Sequence, residues 1–273
     1  MRKDSRKIFE GLKITEQKEF CDKWMNQYPV LFVSFKDVEA ENFHDAYDML
    51  KTRLADVCKK LSGLAGDDRV NQFDSETFVR LEGQTGNTAD VKNALKTIMR
   101  MMRAVYGKKV ILLIDEYDVP LARASEKNNA QNAFYSSMLD VIKGIMGTSL
   151  KDNEYLEFAV VTGCLRIAKE SLFTGTNNFA SYSVLDEDFS QYFGFSEKEV
   201  EALLIAADRS EAAAIMKEWY DGYVFGNSCV YCPFVMALPF SKNRRKSEYL
   251  NVTCNALAKR MNDGYNNGRN YKG

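Results

Sequence analysis

With 273 residues, 45% hydrophobic and 27% charged, the chain holds enough apolar material for one large domain, or one domain with a small appendage. A formal net charge of −1 supplies no global attraction to nucleic acid or to an acidic membrane surface. No apolar run approaches the roughly 20 residues that span a bilayer, the first residues lack a secretory h-region, and six scattered cysteines accord with a reduced, cytoplasmic protein.

In chain order, YPVLFVSF (Tyr28 to Phe35) is β-branched, aromatic and bounded by Pro29, and reads as a buried strand. Phe43, Ala46, Tyr47, Leu50, Leu54, Val57, Cys58 and Leu61 then recur at helical spacing. GLAGDD breaks that helix, and a polar loop rich in Gly and Asn follows. Val91, Ala94, Leu95, Ile98, Met99, Met102 and Val105 form a second amphipathic helix, capped by Asn87 or Thr88 and ended by Gly107. In the Met99, Met101 and Met102 group, core packing with one exposed member is the expectation.

KVILLI has apolar residues on both faces, the pattern of a strand in the middle of a parallel sheet covered by helices. A helix through Phe134, Met138, Val141, Ile142 and Ile145 leads to a third strand, LEFAVVTG (Leu156 to Gly163). Strand, helix, strand order of this kind defines an α/β fold with a parallel sheet. Residues 1–195 make up this core. Residues 196–240 read as a small, mainly helical, lid-like segment opened by a capping box of Ser196 and Glu199. Residues 241–273 form a basic, Asn-rich tail with few large apolar residues, expected to be loosely ordered.

Two constellations carry chemistry. In VILLIDEYDVPL (110–121) an apolar strand stops on Asp115 and Glu116. The functional crevice of a parallel sheet lies outside the carboxyl ends of its strands. An acid there can hold Mg²⁺, and a second acid can orient or deprotonate an attacking water. The same pattern also describes a solvated turn after a buried strand. Asp118 weighs against that alternative, because three acids within four residues repel one another unless a cation or donors are near. In VVTGCLRIAKES (160–171), Thr162 ends the next strand, where its hydroxyl could meet a γ-phosphate or water, and Arg166 or Lys169 could meet phosphate charge. Read alone, that stretch is more simply a strand end with a Gly turn and two solvated bases on a helix.

The segments GLKI, YPVLFVSFKDV, VILLIDEYDVPL, TGCLRIAKESLFTGTNNFASYSVLDEDFSQYFGFSEKEV and WYDGYVFGNSCVYCPF resemble the AAA-ATPase-like family, in the family's order, over roughly residues 9–238. These are bacterial proteins whose P-loop ATPase domain is commonly followed by a nuclease-like domain of the PD-(D/E)xK type. The resemblance implies a P-loop NTPase-like, AAA-related core with a helical lid, and ATP with Mg²⁺ as cofactors. By position, Asp115 would be the Mg²⁺-binding Walker B acid, Glu116 the catalytic acid and Thr162 the sensor residue, with Arg166 a phosphate-sensing candidate.

Departures from the family pattern matter as much. No GxxxxGK[ST] phosphate cradle occurs in the 273 residues; Gly107-Lys108 lacks both the first Gly and the Ser or Thr. In the family the cradle lies upstream of the segment similar to IFEGLKI, so the chain is expected to begin after it. A neighbouring strand would then be left with an unpaired edge open to self-association or a protein partner. The nuclease-like part is also missing, and the likeness fades after about Leu238.

The remaining candidates are thin. Cys229 and Cys232 form a single C-x-x-C, short of the four ligands of a structural zinc site, and the family has Asn at the place of Cys232. His44 is the only histidine and sits in a helical segment, which argues against Ser-His-Asp and Cys-His mechanisms; Cys164 lacks such a partner. Lys242, Arg244, Arg245 and Lys246, with Tyr249 or Tyr265, could touch nucleic acid, although such runs are usually solvated. Three functional expectations follow: a truncated ATPase domain with weak or absent turnover, a non-catalytic interaction module or decayed fragment, and nucleic-acid binding through the tail.

Overall fold

The computed structural model describes residues 6–126, 133–164, 179–206, 208, 210, 213–214, 217 and 223–231. They fall into two compact units divided between Phe179 and Ala180.

The first unit is built on three parallel strands, β1 (Val30–Ser34), β2 (Val110–Asp115) and β3 (Leu156–Val161), in the order β1-β2-β3. Leu31 pairs with Leu112 and Ser34 with Asp115; Ile114 pairs with Val161. Two short 3₁₀ turns, Arg6–Phe9 and Lys13–Glu16, and helix α1 (Lys18–Trp24) precede β1. Between β1 and β2 run α2 (Phe43–Lys60), α3 (Gln72–Glu82) and α4 (Thr88–Tyr106). Between β2 and β3 run α5 (Val119–Glu126) and α6 (Ala133–Leu150). This is an α/β arrangement, as the alternation of short apolar runs and helical periods predicts.

Local chemistry sets the helix ends. The Asn42 side chain accepts the Asp45 N–H at 3.0 Å to cap α2. Asn87 accepts the Asp90 N–H at 2.9 Å, while Asp90 accepts the Asn87 N–H at 3.2 Å, a reciprocal capping box at the start of α4. Gly107 closes α4 in the left-handed region at φ 68°, where a side chain would be strained. Helix α3 fills part of the stretch read from sequence as polar loop. It is capped by Asn71, and only Phe78 and Leu81 among its apolar residues are buried.

One continuous core joins Leu31, Val33, Leu112 and Ile114 of the sheet to α2, α4 and α6. Met99, Met101 and Met102 are all buried, so none of the three is the exposed member expected from spacing. Helix α4 packs against both α3 and α6, which widens its buried face beyond one stripe. The sheet itself is one-sided. Val30, Phe32, Phe158 and Val160, which alternate with buried positions in β1 and with the partly buried Ala159 and Val161 in β3, remain 49%, 55%, 55% and 43% exposed. On this second face Trp24 lies 6.3 Å from the Phe158 ring. Helices on both faces were expected from the apolar character of KVILLI; among the described residues α2, α4 and α6 join the core on one face only. Among the described residues β3 pairs with a strand on one side only.

In the second unit α7 (Glu197–Ala206) opens with the Ser196 capping box: the Ser196 N–H donates to Glu199 Oε2 at 2.9 Å and the Glu199 N–H to Ser196 Oγ at 3.4 Å. Val200 and Leu204 pack with Tyr231 and Phe195. Strands β4 (Tyr223–Phe225) and β5 (Ser228–Val230) form an antiparallel hairpin where the sequence reads as mainly helical. Alternating aromatic and β-branched residues around a two-residue Gly226-Asn227 turn account for it. No helix among the described residues is long and apolar enough to cross a membrane.

Candidate functional site

The carboxyl ends of β2 and β3 come together. Asp115 is the last residue of β2 and its carbonyl accepts the Phe35 N–H at 2.9 Å, so β1 reaches the same level. The Thr162 N–H donates to Ile114 O at 2.9 Å and the Tyr117 N–H to Thr162 O at 3.1 Å. These backbone bonds extend the parallel ladder past the last paired residues and set Thr162 beside Asp115. The Thr162 hydroxyl donates to Asp115 Oδ1 at 2.7 Å. Two residues distant in sequence, singled out from two separate motifs, thus form one charge-assisted hydrogen bond.

Because side chains alternate along a strand, Ile114 enters the core and Asp115 projects from the open face. By register Ser34, Asp115 and Thr162 stand across the end of a row that otherwise carries Phe32, Leu113 and Val160. Glu116 lies in the left-handed region at φ 54°, uncommon for a side chain of its size, and starts the turn into α5. Asp115 and Glu116 are half-buried. Among the described residues neither forms an ion pair with a basic side chain.

Asp118 is 2% exposed, and its Oδ2 accepts the Cys164 N–H at 3.1 Å. Partial burial, then the charges of Asp118, Glu116 and Asp115, push the Cys164 thiol above its ordinary range. All three acids therefore act on one point beyond β3. Sequence reasoning registered Asp118 as a third negative charge but gave it no contact; Gly163, which touches it, carried no signal beyond being a turn residue.

Among the described residues no group of three or more His, Cys, Asp or Glu could hold a metal ion by itself. Asp115 and the Thr162 hydroxyl nevertheless offer hard oxygen donors. Mg²⁺ commonly takes one or two carboxylates and fills its shell with water and phosphate oxygens, so the donor set fits that ion. His44 stands exposed on α2, 3.5 Å from Asp48. Cys229 is exposed on β5. Arg166, Lys169, Cys232 and the basic tail lie outside the described residues.

A parallel α/β sheet whose middle strand ends on adjacent acids, with a hydroxyl from the next strand on the first of them, places the protein among α/β proteins of P-loop-like architecture. The chain belongs to the AAA-ATPase-like family: the family model described as "Predicted AAA-ATPase" matches residues 1–173. It is also 26% identical over 239 residues to a protein of Azotobacter chroococcum mcd 1 described as an uncharacterized protein in the vnfD 5′ region. That match covers 86% of this chain and 40% of the relative, so the chain spans less than half of the relative's length. No solved structure matches the chain.

Proposed function

We propose that the carboxyl end of β2 and β3 is the acid-and-sensor side of a Mg-ATP site. The observation that carries this reading is the 2.7 Å hydrogen bond from Thr162 to Asp115. It joins the residue suited to Mg²⁺ and the residue suited to sensing phosphate, in a chain of the AAA-ATPase-like family. When bound, Mg²⁺ would neutralise charge on the β- and γ-phosphates. Asp115 would hold the ion, with the Thr162 hydroxyl fixing the carboxylate's orientation. Glu116, released from the strand by its left-handed turn, would accept a hydrogen bond from water and take its proton as the water oxygen attacks the γ-phosphorus and the bond from that phosphorus to the β,γ-bridging oxygen breaks, ADP leaving with the bonding electrons. Arg166 remains a candidate for phosphate contact.

These 273 residues contain no Gly-rich GxxxxGK[ST] run to surround the phosphates with backbone N–H groups. We therefore expect this chain alone to hydrolyse ATP weakly or not at all. Titration of the purified chain with a fluorescent ATP analogue and Mg²⁺ tests the site: binding is expected in wild type and in Glu116→Gln, and lost in Asp115→Ala. Equal binding by folded wild type and Asp115→Ala would sink the reading. Robust turnover abolished by Glu116→Gln would refute weak hydrolysis while keeping the site.

The exposed Val30, Phe32, Phe158 and Val160 favour a second reading, a module that associates through its sheet. Sedimentation velocity across a concentration series distinguishes the two, since Phe158→Lys would dissolve a sheet-mediated assembly without touching nucleotide binding.

A further inference from the structure

We infer that Asp118 is a positioning residue that clamps the end of β3 to the end of β2, and so holds the Thr162 hydroxyl on Asp115. The inference rests on the Mg-ATP reading of the site for its consequence, and on geometry alone for the clamp.

Asp118 begins the first turn of α5, where its carbonyl accepts the Leu121 and Ala122 N–H groups at 2.9 and 2.8 Å. Its carboxylate points elsewhere: Oδ2 reaches the Cys164 N–H, 46 positions along the chain and two residues past Thr162. A carboxylate only 2% exposed is costly to bury without a specific partner. Starting a helix does not require one here, because the helix-initiating acceptor is the backbone carbonyl.

Gly163 supplies the second observation. A Cβ built on it would lie 2.5 Å from Asp118 Oδ1, 2.6 Å from Tyr117 Cε1 and 2.7 Å from Tyr117 Cδ1. Only glycine lets the backbone after Thr162 approach the carboxylate and the ring this closely. Residues 162–164 are therefore fixed at Ile114 O, at the Tyr117 N–H and at Asp118 Oδ2. The first two bonds belong to any parallel ladder that continues this far. The third is made by a side chain, and it prevents the segment from peeling away just where the ladder ends. Thr162 carries the first two anchors on its own N–H and carbonyl, and the third holds the chain two residues further on, so freeing the third would loosen the carbonyl side of Thr162 and let its hydroxyl leave Asp115.

The test compares Asp118→Ala, Asp118→Asn and Gly163→Ala with wild type in the full chain. Amide hydrogen exchange is followed by NMR, and Mn²⁺, a paramagnetic stand-in for Mg²⁺, is titrated by electron paramagnetic resonance with Asp115→Ala as the site reference. Loss of one hydrogen bond predicts exchange at Thr162 and Cys164 about tenfold faster in Asp118→Ala. Exchange at Met99 and other α4 amides should be unchanged, and Mn²⁺ should bind several-fold more weakly. Asp118→Asn, which keeps an acceptor oxygen, should restore both, and Gly163→Ala should reproduce the Asp118→Ala pattern. Unchanged exchange at Cys164 in Asp118→Ala overturns the clamp. Faster exchange with unaltered Mn²⁺ affinity, or an Asp118→Asn chain as impaired as Asp118→Ala, overturns the positioning role. A wild-type chain that binds no Mn²⁺ removes the Mg-ATP reading and the functional half of the inference, while its exchange rates still decide whether the clamp exists.

Discussion

The Asp74–Arg100 pair offers the most direct check on how the first unit is held together. Asp74 projects inward from α3 with its side chain 5% exposed, and Arg100 of α4 meets it with two parallel hydrogen bonds, Nε to Oδ2 at 2.6 Å and Nη2 to Oδ1. The guanidinium also lies 5.9 Å from the Tyr155 ring. Arg100→Met keeps most of the aliphatic stem and removes the charge, leaving Asp74 its Oδ2 bond from the Asn71 amide but taking away the Arg100 donor on Oδ1. Removing one partner of a fully buried pair costs about 3–5 kcal/mol. Because Arg100 is 37% exposed, water softens the penalty, and the expected loss is about 2–4 kcal/mol. That is a substantial part of the roughly 5–15 kcal/mol by which domains are stable. Replacing both partners, as Asp74→Leu with Arg100→Met, should recover most of the loss, since no charge is then stranded. Urea unfolding followed by circular dichroism would read the midpoint at constant slope. A single mutant within about 0.5 kcal/mol of wild type, or a double mutant as unstable as the sum of the singles, would refute the argument.

Asn87→Ala removes the acceptor for the Asp90 N–H and should cost about 1 kcal/mol in the same assay, while Asn87→Gly should cost only a few tenths. Burial pushes the Cys58 thiol up from 9.0 to about 12, with the charge of Glu82 adding to it. Its contribution to stability is therefore complete below pH 9 and is lost as the pH rises towards 12, with a slope of up to about 1.4 kcal/mol per pH unit. Cys58→Ala should flatten that slope, and an unchanged alkaline profile would contradict the assignment. Alkylation at neutral pH, resolved peptide by peptide, should modify Cys229 readily and leave Cys58 intact until denaturant is added; Cys164, exposed but with its thiol raised by burial and the nearby acids, should react slowly.

Where apolar spacing was regular the sequence was sufficient: the inward faces of α2, α4 and α6 and all three parallel strands follow from it. Helix α3 escaped because one of its three buried positions is Asp74, a residue that breaks a hydrophobic period, and because Arg100, which makes that burial tolerable, lies 26 positions away. The third buried methionine of α4 escaped for a related reason. A helix enclosed by neighbours on two sides buries more than one stripe, and its own sequence does not say how many neighbours it has. Asp115 and Glu116 stand out in the sequence because an apolar strand stops on them, and the structure places Asp115 at the end of β2. The Asp118 to Cys164 bond does not show in the sequence, since it depends on how far β3 runs past β2.

Register ties the site to the fold. Asp115 follows Ile114, which is 1% exposed in the core, so a slip of one residue in β2 would carry the carboxylate inward to meet α4 and α6 and swing Ile114 out. Burying that charge without a partner costs more than the exposed isoleucine would. The acid that is suited to Mg²⁺ thus also penalises the wrong pairing of the strand that carries it. The bond from Thr162 extends the same constraint to β3: its hydroxyl reaches Asp115 Oδ1 only when Ile114 faces Val161. Asp115→Ala should accordingly be judged for strand register as well as for nucleotide binding, with Asp115→Asn separating the two, because asparagine keeps an oxygen for Thr162 and removes the charge.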